Sequence, residues 1–245
     1  FETVPFRDIK KMELMTRVDE KFIFHQQKLE SVLDQISSFY KIVSFDNNFI
    51  QDYKTKYLDS ADRIFYNQHH NGRYSRYKIR FREYVNSNLF YLEIKKKNNK
   101  KLTTKKRIKV SSSSINFSSK HLEFIKTNSG ISESLQFHQT INFKRMTFVH
   151  KFNHERLTID FNVSYKDKKN IGNFEGLVIA ELKKNKYQVS SDFKRILKSM
   201  NIRPTRVSKY CLTSLMLNKK LKHNRFKEKL LLIKKLLKND ISNSN

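Results

Sequence analysis

The chain has 245 residues, enough for one large domain or two small ones, and its 38% hydrophobic and 13% aromatic content supports a real core and excludes intrinsic disorder. Lysine and arginine number 51 against 23 aspartates and glutamates, a net charge of +28 that exceeds what solubility needs and points to a polyanion: nucleic acid, anionic membrane or polyphosphate. One cysteine, Cys211, excludes an intrachain disulfide and a cysteine-based zinc site, and no apolar run approaches a membrane span, so a soluble cytoplasmic protein without a secretory signal peptide is the expectation.

Arg17 to Phe24 alternates as a strand, with Arg17, Asp19, Lys21 and Ile23 on one side and Val18, Phe22 and Phe24 on the other. Leu29, Val32, Leu33 and Ile36 recur at helical spacing, which predicts an amphipathic helix over 25–39 against the apolar side of the sheet. Tyr40 to Phe45 is a short strand. Tyr53 to Asp59 alternates Tyr53, Thr55, Tyr57 and Asp59 against Lys54, Lys56 and Leu58, and His69, His70 and Gly72 fall in the loop beyond it.

Arg76 to Lys97 (RYKIRFREYVNSNLFYLEIKKK) is the most informative stretch. Lys78, Arg80, Arg82 and Tyr84 share one face, and Tyr77, Ile79 and Phe81 the other. After the Asn86-Ser87-Asn88 turn, Tyr91, Glu93, Lys95 and Lys97 oppose Leu92 and Ile94, so a hairpin is predicted. Unpaired charges in a dry core cost several kcal/mol each, so this basic face lies in water or surrounds an anion.

Leu102 to Val110 sets Lys105, Arg107 and Lys109 against Lys106, Ile108 and Val110, and the serine run Ser111 to Ser114 leads into a helix through Leu122 and Ile125. Thr140 to Val149, which carries Arg145, and Arg156 to Val163 read as an antiparallel pair. On the second, Arg156, Thr158 and Asp160 face one way, and Leu157, Ile159, Phe161 and Val163 the other. Gly172 to Lys183 reads as one strand with Ile179, Glu181 and Lys183 against Val178, Ala180 and Leu182. Helices are predicted over 192–200, 208–217 and 221–237, the first two separated by Pro204.

No repeat or linker divides the chain, so 1–245 is read as one α+β domain, with a core over about 11–217 and a basic amphipathic helix and polar tail over 218–245. Strand after strand has one apolar and one charged face. A flat sheet would solvate the charged faces; a closed barrel would turn them inward, with helices outside on the apolar faces.

RVDEKF, YLD, KIRFREY, YLEIKKK, RLTID, IAELK and VSKY, in that order, resemble the VTC (vacuolar transporter chaperone) polyphosphate polymerase domain of the CYTH-like triphosphate tunnel metalloenzyme superfamily, over about Lys11 to Leu217. The resemblance implies a closed antiparallel β-barrel of about eight strands, with helices packed outside and at one end. It implies catalytic phosphate-binding roles for Lys21, Arg80, Arg82, Lys95, Arg156 and Lys209, and substrate contacts from Arg17, Lys78, Lys105, Arg107, Arg145, Lys183 and Arg206. Mn²⁺ or Mg²⁺ is expected on Glu181, assisted by Glu93 or Asp160. His69 stands near a position where relatives carry Arg, and Arg17-x-Asp19-x-Lys21 replaces one carboxylate of the Glu-x-Glu-x-Lys strand of hydrolytic members.

The activity so implied is transfer of the ATP γ-phosphate to a growing polyphosphate chain. Positioning and electrostatic stabilisation dominate such chemistry, and no side-chain nucleophile is needed. The alternatives are a triphosphate or polyphosphate hydrolase of the same fold and a non-catalytic polyphosphate-binding module. Nucleic acid is not an expected partner, because no tryptophan and no recognisable stacking platform accompany the basic groups. Phe226, Leu230, Ile233 and Leu237 make an apolar stripe in the basic C-terminal helix; docking over one tunnel mouth is preferred to peripheral membrane contact. Asp160 with Arg156 reads equally well as an internal ion pair, and Tyr57, Tyr84, Phe143 and Cys211 as packing.

Overall fold

The computed structural model describes residues 1–9, 17–100, 102–111, 118–131 and 133–238. The Arg17 side chain, serines 112–114 and the polar tail beyond Lys238 lie outside the described residues. In chain order the elements are β1 (Thr3–Pro5), α1 (Phe6–Ile9), β2 (Arg17–His25), α2 (Leu29–Ser37), β3 (Tyr40–Ser44), β4 (Ile50–Ser60), α3 (Ile64–His70), β5 (Arg76–Tyr84), β6 (Leu89–Lys97), β7 (Thr103–Val110) and α4 (Ser119–Ser129). Then come β8 (Leu135–His150), β9 (Glu155–Lys166), β10 (Ile171–Phe174), β11 (Leu177–Asn185), α5 (Asp192–Ser199), α6 (Lys209–Leu217) and α7 (Lys227–Lys238).

The alternation read from the sequence decides which face each strand buries. On the outer face, Phe22, Phe24, Leu157, Ile159, Val178, Ala180 and Leu182 pack under α2 and α5 through Val32, Ile36, Phe193, Ile196 and Leu197. Farther round, Leu58, Ile79, Phe81, Leu92, Ile94 and Val110 pack with Phe65 of α3 and Ile125 of α4. The charged faces therefore turn the other way. Lys21 Nζ of β2 donates to the Val207 carbonyl at 3.0 Å and Lys78 Nζ of β5 to Ser208 Oγ at 3.1 Å, so opposite parts of the sheet meet the same segment across a bore.

The sheet contains eleven described strands, of which eight follow the path β2-β11-β9-β8-β4-β5-β6-β7; β1 and β3 attach beyond β8, and β10 beside β9. It does not close. No ladder joins β2 to β7 among the described residues, which corrects the expected closed barrel. The free edge of β2 is taken instead by the segment before α6: the Thr205 N–H donates to the Lys21 carbonyl at 2.6 Å, and Pro204, which has no N–H to extend a ladder, bridges Phe22. At the other end of the path, β7 exposes Lys105, Lys106, Arg107 and Lys109, an edge whose like charges disfavour pairing.

One end of the bore is filled. Ile23, Tyr57, Ile141, Val163, Tyr165, Leu177 and Ile179 surround Val207, Tyr210, Cys211, Leu212 and Leu215 of α6 and its lead-in. Phe226 and Ile233 join this cluster and Leu230, Leu236 and Leu237 lie against it, so α7 docks its apolar stripe on its own domain. The helix begins at Lys227 after a 3-10 turn over 224–226, later than the sequence predicts. Among the described residues no helix is long and apolar enough to cross a membrane.

Three further differences have local causes. Gly172 to Lys183 is not continuous: β10 and β11 are both laid on β9 but separated by Glu175-Gly176, where Gly176 has φ +71° and a Cβ would sit 2.3 Å from His25 Nε2. On β9, the ladder with β8 slips between Asn142 and Lys144, and Asn162 takes φ +50°. The bulge turns Val163 into the bore cluster, away from Leu157 and Ile159, with which strict alternation had grouped it. His69 and His70 end α3 rather than lying in a loop, because buried Asp59 accepts hydrogen bonds from the N–H groups of Phe65 and Tyr66, both at 2.9 Å, and so fixes the start of that helix.

Candidate functional site

Three carboxylates organise the cations of the bore. Glu93 on β6, 1% exposed, receives Arg80 Nε and Nη2, both at 2.8 Å, lies 3.9 Å from Arg82 Nη1 and is bridged by Lys105. Burial opposes its ionisation, yet Arg80, Arg82 and Lys105 outweigh burial and hold the carboxyl below its ordinary range. Asp160 on β9, 2% exposed, is gripped by the Arg145 fork at 2.5 and 2.7 Å and bonded to Lys209, the first residue of α6. Against its burial, these two cations draw its pKa down to about 2. Glu181 on β11 is bonded to Lys183; burial resists, but Lys183, Lys21 and Lys95 hold it well below the carboxylate range.

Why these groups meet follows from register. Lys21 lies directly opposite Glu181, Lys183 opposite Asp19, and Arg80 opposite Glu93 in their ladders, so each cation and carboxylate share the inward face of a non-slipped pair. The lysines exceed what the carboxylates neutralise. Burial first, then the charge of Lys21, lowers Lys78 to about 7. Burial also lowers Lys95 to about 8, against the pull of Glu181 and Asp19, and Lys209 to about 8, against Asp160. His69, at the end of α3, is pushed down to about 2 by burial and then by Lys78 and Arg76, so its imidazole is neutral beside the cations.

The structure brings Lys21, Lys78, Arg80, Arg82, Lys95, Lys105, Arg145, Lys183 and Lys209 together with Glu93, Asp160 and Glu181. Arg156 is on this face too, partly buried and opposite Lys183. Arg107 is exposed on β7, its guanidinium 4.5 Å from the Tyr91 ring centre, at the margin of the group. Arg206 does not join it: Val207 takes the inward position next door, while Arg206 is exposed and close enough to α7 to help depress Lys229, whose shift comes first from burial. For Arg17 only the strand position is described. Asp160, foreseen as either an ion-pair partner of Arg156 or a metal ligand, pairs with Arg145 and Lys209.

Sequence reasoning missed two groups. Asp19 stands on the inward face diagonal to Glu181, and its signal was present, two residues before Lys21 on one strand face. Tyr53 and Phe143 are more than packing: Arg82 and Arg145 both lie over their rings. Tyr57 likewise takes a hydrogen bond from Arg80 Nη1 at 3.1 Å.

An ion held by protein side chains alone needs several donors around one point. Among the described residues no group of three His, Cys, Asp or Glu side chains gathers around a common point. Glu93 and Asp160 are each occupied by several cations. Such a set does not fit an ion caged by protein alone. Glu181, bonded to Lys183, and Asp19, diagonal to it across the β2–β11 ladder, are the carboxylates that could serve an ion brought in with phosphate.

An incomplete antiparallel barrel, helices on its apolar outside and a surplus of cations within, defines a tunnel-type fold. A family profile described as the VTC domain matches residues 16–218, and the chain belongs to the VTC domain family. Among solved structures it is similar to a provisional adenylate cyclase from Bacillus halodurans, with TM-score 0.54 and 13% identity over 81% of this chain and 96% of that one. A provisional adenylate cyclase from Vibrio parahaemolyticus gives TM-score 0.48 and 11% identity over 82% and 99%. A protein from Hippeastrum, described as an adenylyl cyclase candidate with dominant triphosphatase activity, gives 0.47 and 9% over 82% and 97%. The Bacillus likeness shows a shared fold. No curated protein matches the chain.

Proposed function

We propose that the protein is a polyphosphate polymerase-like phosphotransferase that moves the γ-phosphate of ATP onto the end of a polyphosphate chain. The observation that carries this reading is the excess of buried cations. Even with Glu93, Asp160 and Glu181 paired, Lys78, Lys95 and Lys209 stay depressed by burial and by neighbouring cations, Lys21 common to all three, a state that a row of phosphates relieves. A single carboxylate or sulfate would neutralise too little of it; a chain of phosphates supplies one charge per unit along the whole bore.

In the reaction, a terminal phosphate oxygen of the acceptor forms a bond to the γ-phosphorus as the bond to the β–γ bridging oxygen breaks, and ADP leaves with that electron pair. Arg80 and Arg82, about 7 Å apart along one strand face, offer neighbouring phosphates the guanidinium N–H groups that Glu93, Tyr57 and Thr55 leave over. Arg145 and Lys209, aimed by Asp160, and Lys21 and Lys95, aimed by Glu181, neutralise charge as it shifts to the leaving oxygen. When Mn²⁺ or Mg²⁺ is bound with phosphate, Glu181 would hold it, and it would supply Lewis-acid neutralisation of phosphoryl oxygens.

The test is incubation of the purified protein with ATP and Mn²⁺, with products resolved on gels. Long polyphosphate and ADP are expected. Orthophosphate without chains would replace this reading with hydrolysis, and polyphosphate binding without turnover would reduce the protein to a binding module.

A further inference from the structure

Tyr53 and Phe143 lie on neighbouring strands, directly opposite in the β4–β8 ladder, with their rings parallel to within 4° and their centres 5.1 Å apart. Two residues to one side along β4, Thr55 faces Arg82; two residues to the other side, Gln51 faces Arg145. The ring pair thus sits between two guanidiniums. Arg82 lies 5.3 Å from the Tyr53 centre and 5.9 Å from that of Phe143, and Arg145 lies 5.0 and 5.3 Å from the same two rings. Lys209 Nζ lies 4.7 Å from the Phe143 centre. Both rings are buried, at 7% and 4% exposure.

The arrangement solves an electrostatic problem. Arg82 belongs to the Glu93 group, whose carboxylate also serves Arg80 and Lys105, and Arg145 and Lys209 share Asp160. Along β4 the positions between and opposite them are Thr55, Tyr53 and Gln51, all uncharged. An aromatic face attracts a desolvated cation from either side, and a rigid stacked pair keeps two guanidiniums from collapsing onto one carboxylate or splaying apart. An aliphatic pair of equal volume would fill the space but exert no such pull.

We propose that Tyr53 and Phe143 are positioning residues that set the spacing of Arg82, Arg145 and Lys209, and through them the seating of successive phosphates of a bound polyanion. The inference rests on the polyphosphate reading above. The rings act on the ligand only through the cations, so their effect must vanish when those cations are gone.

The experiment measures binding of long-chain polyphosphate by the full chain, with thermal melting alongside, for the parent, Tyr53→Phe, Tyr53→Leu, Phe143→Leu, Arg82→Ala with Arg145→Ala, and that double variant with Tyr53→Leu added. Each Leu variant is expected to bind about ten-fold more weakly, the scale of a desolvated cation–π contact. Tyr53→Phe, which keeps the ring face, restores parental binding, and adding Tyr53→Leu to the arginine-deleted protein changes nothing further. Parental affinity in both Leu variants overturns the proposal, as does a full additional loss from Tyr53→Leu without the two arginines. A Leu variant that no longer melts cooperatively shifts the decision to Phe143→Leu and to the Tyr53→Phe pair of measurements. Failure of the parent to bind polyphosphate overturns both this proposal and the functional reading, whereas intact parental binding with unaffected Leu variants overturns this proposal alone.

Discussion

Polyphosphate binding should take up protons, and the number can be worked from three lysines. In the free protein burial places Lys78 near pKa 7, and Lys95 and Lys209 near 8, against an ordinary value of 10.5. At pH 8 roughly nine-tenths of Lys78 and half of each of the other two are therefore neutral, a deficit of about two protons that phosphate oxygens would restore by stabilising the ammonium forms. Lys105, 36% exposed on its side chain, is more strongly screened and adds less. Affinity should then fall about a hundred-fold per pH unit around pH 8. Calorimetric titration in buffers of different ionisation enthalpy reads the uptake directly, and long chains keep terminal phosphate titration small. The same shifts act oppositely on the free fold: a lysine whose folded pKa lies below its unfolded value binds fewer protons when folded, so this contribution to stability rises with pH between about 7 and 10.5. Zero proton uptake at pH 8, or affinity independent of pH from 7 to 9, would refute the picture of mutually crowded, buried ammonium groups.

Other outcomes follow from individual partners. Glu181→Ala should abolish metal-dependent turnover while leaving polyphosphate binding measurable, whereas Arg82→Ala should weaken both; product gels and a binding titration check the pair. Asp160→Asn leaves Arg145 and Lys209 facing each other without their carboxylate and should lower stability by on the order of 3 kcal/mol in denaturant melts, with saturating polyphosphate recovering part of the loss. Asp59→Ala removes the acceptor of the Phe65 and Tyr66 N–H groups and of the Tyr210 hydroxyl; a loss of about 2–3 kcal/mol is expected, with tighter polyphosphate binding in no condition.

What the sequence makes legible is the choice of face, because alternation is a local property. Lys78, Arg80 and Arg82 against Ile79 and Phe81, or Glu181 and Lys183 against Ala180 and Leu182, can be sorted without knowing any partner strand, and the structure sorts them the same way. Parity breaks where the ladder slips. Val163 changes sides because one extra residue is accommodated at Asn162, and nothing in RLTIDFNV announces that β8 will be one residue short there. Pairing is equally non-local: Asp160 could be seen to face inward, but Arg145 reaches it through the β8–β9 register and Lys209 through the way α6 enters the bore.

Closure is the sharpest case, and it bears on how the site would work. A barrel sealed by a β2–β7 ladder would fix the spacing of its cations rigidly. Here the Pro204–Thr205 segment completes the edge of β2 and leads within four residues to Ser208, which receives Lys78, and Lys209, which binds Asp160. One stretch of chain therefore caps the open edge of the sheet and joins cations of β5 to the carboxylate of β9. Its presence explains why a run as short as VSKY is readable as a motif: Val207 plugs, Ser208 caps α6 by accepting from the Cys211 N–H at 3.4 Å, Lys209 faces the bore and Tyr210 binds Asp59. Each residue type is required at its place by a different strand, and that is information that periodicity alone does not carry.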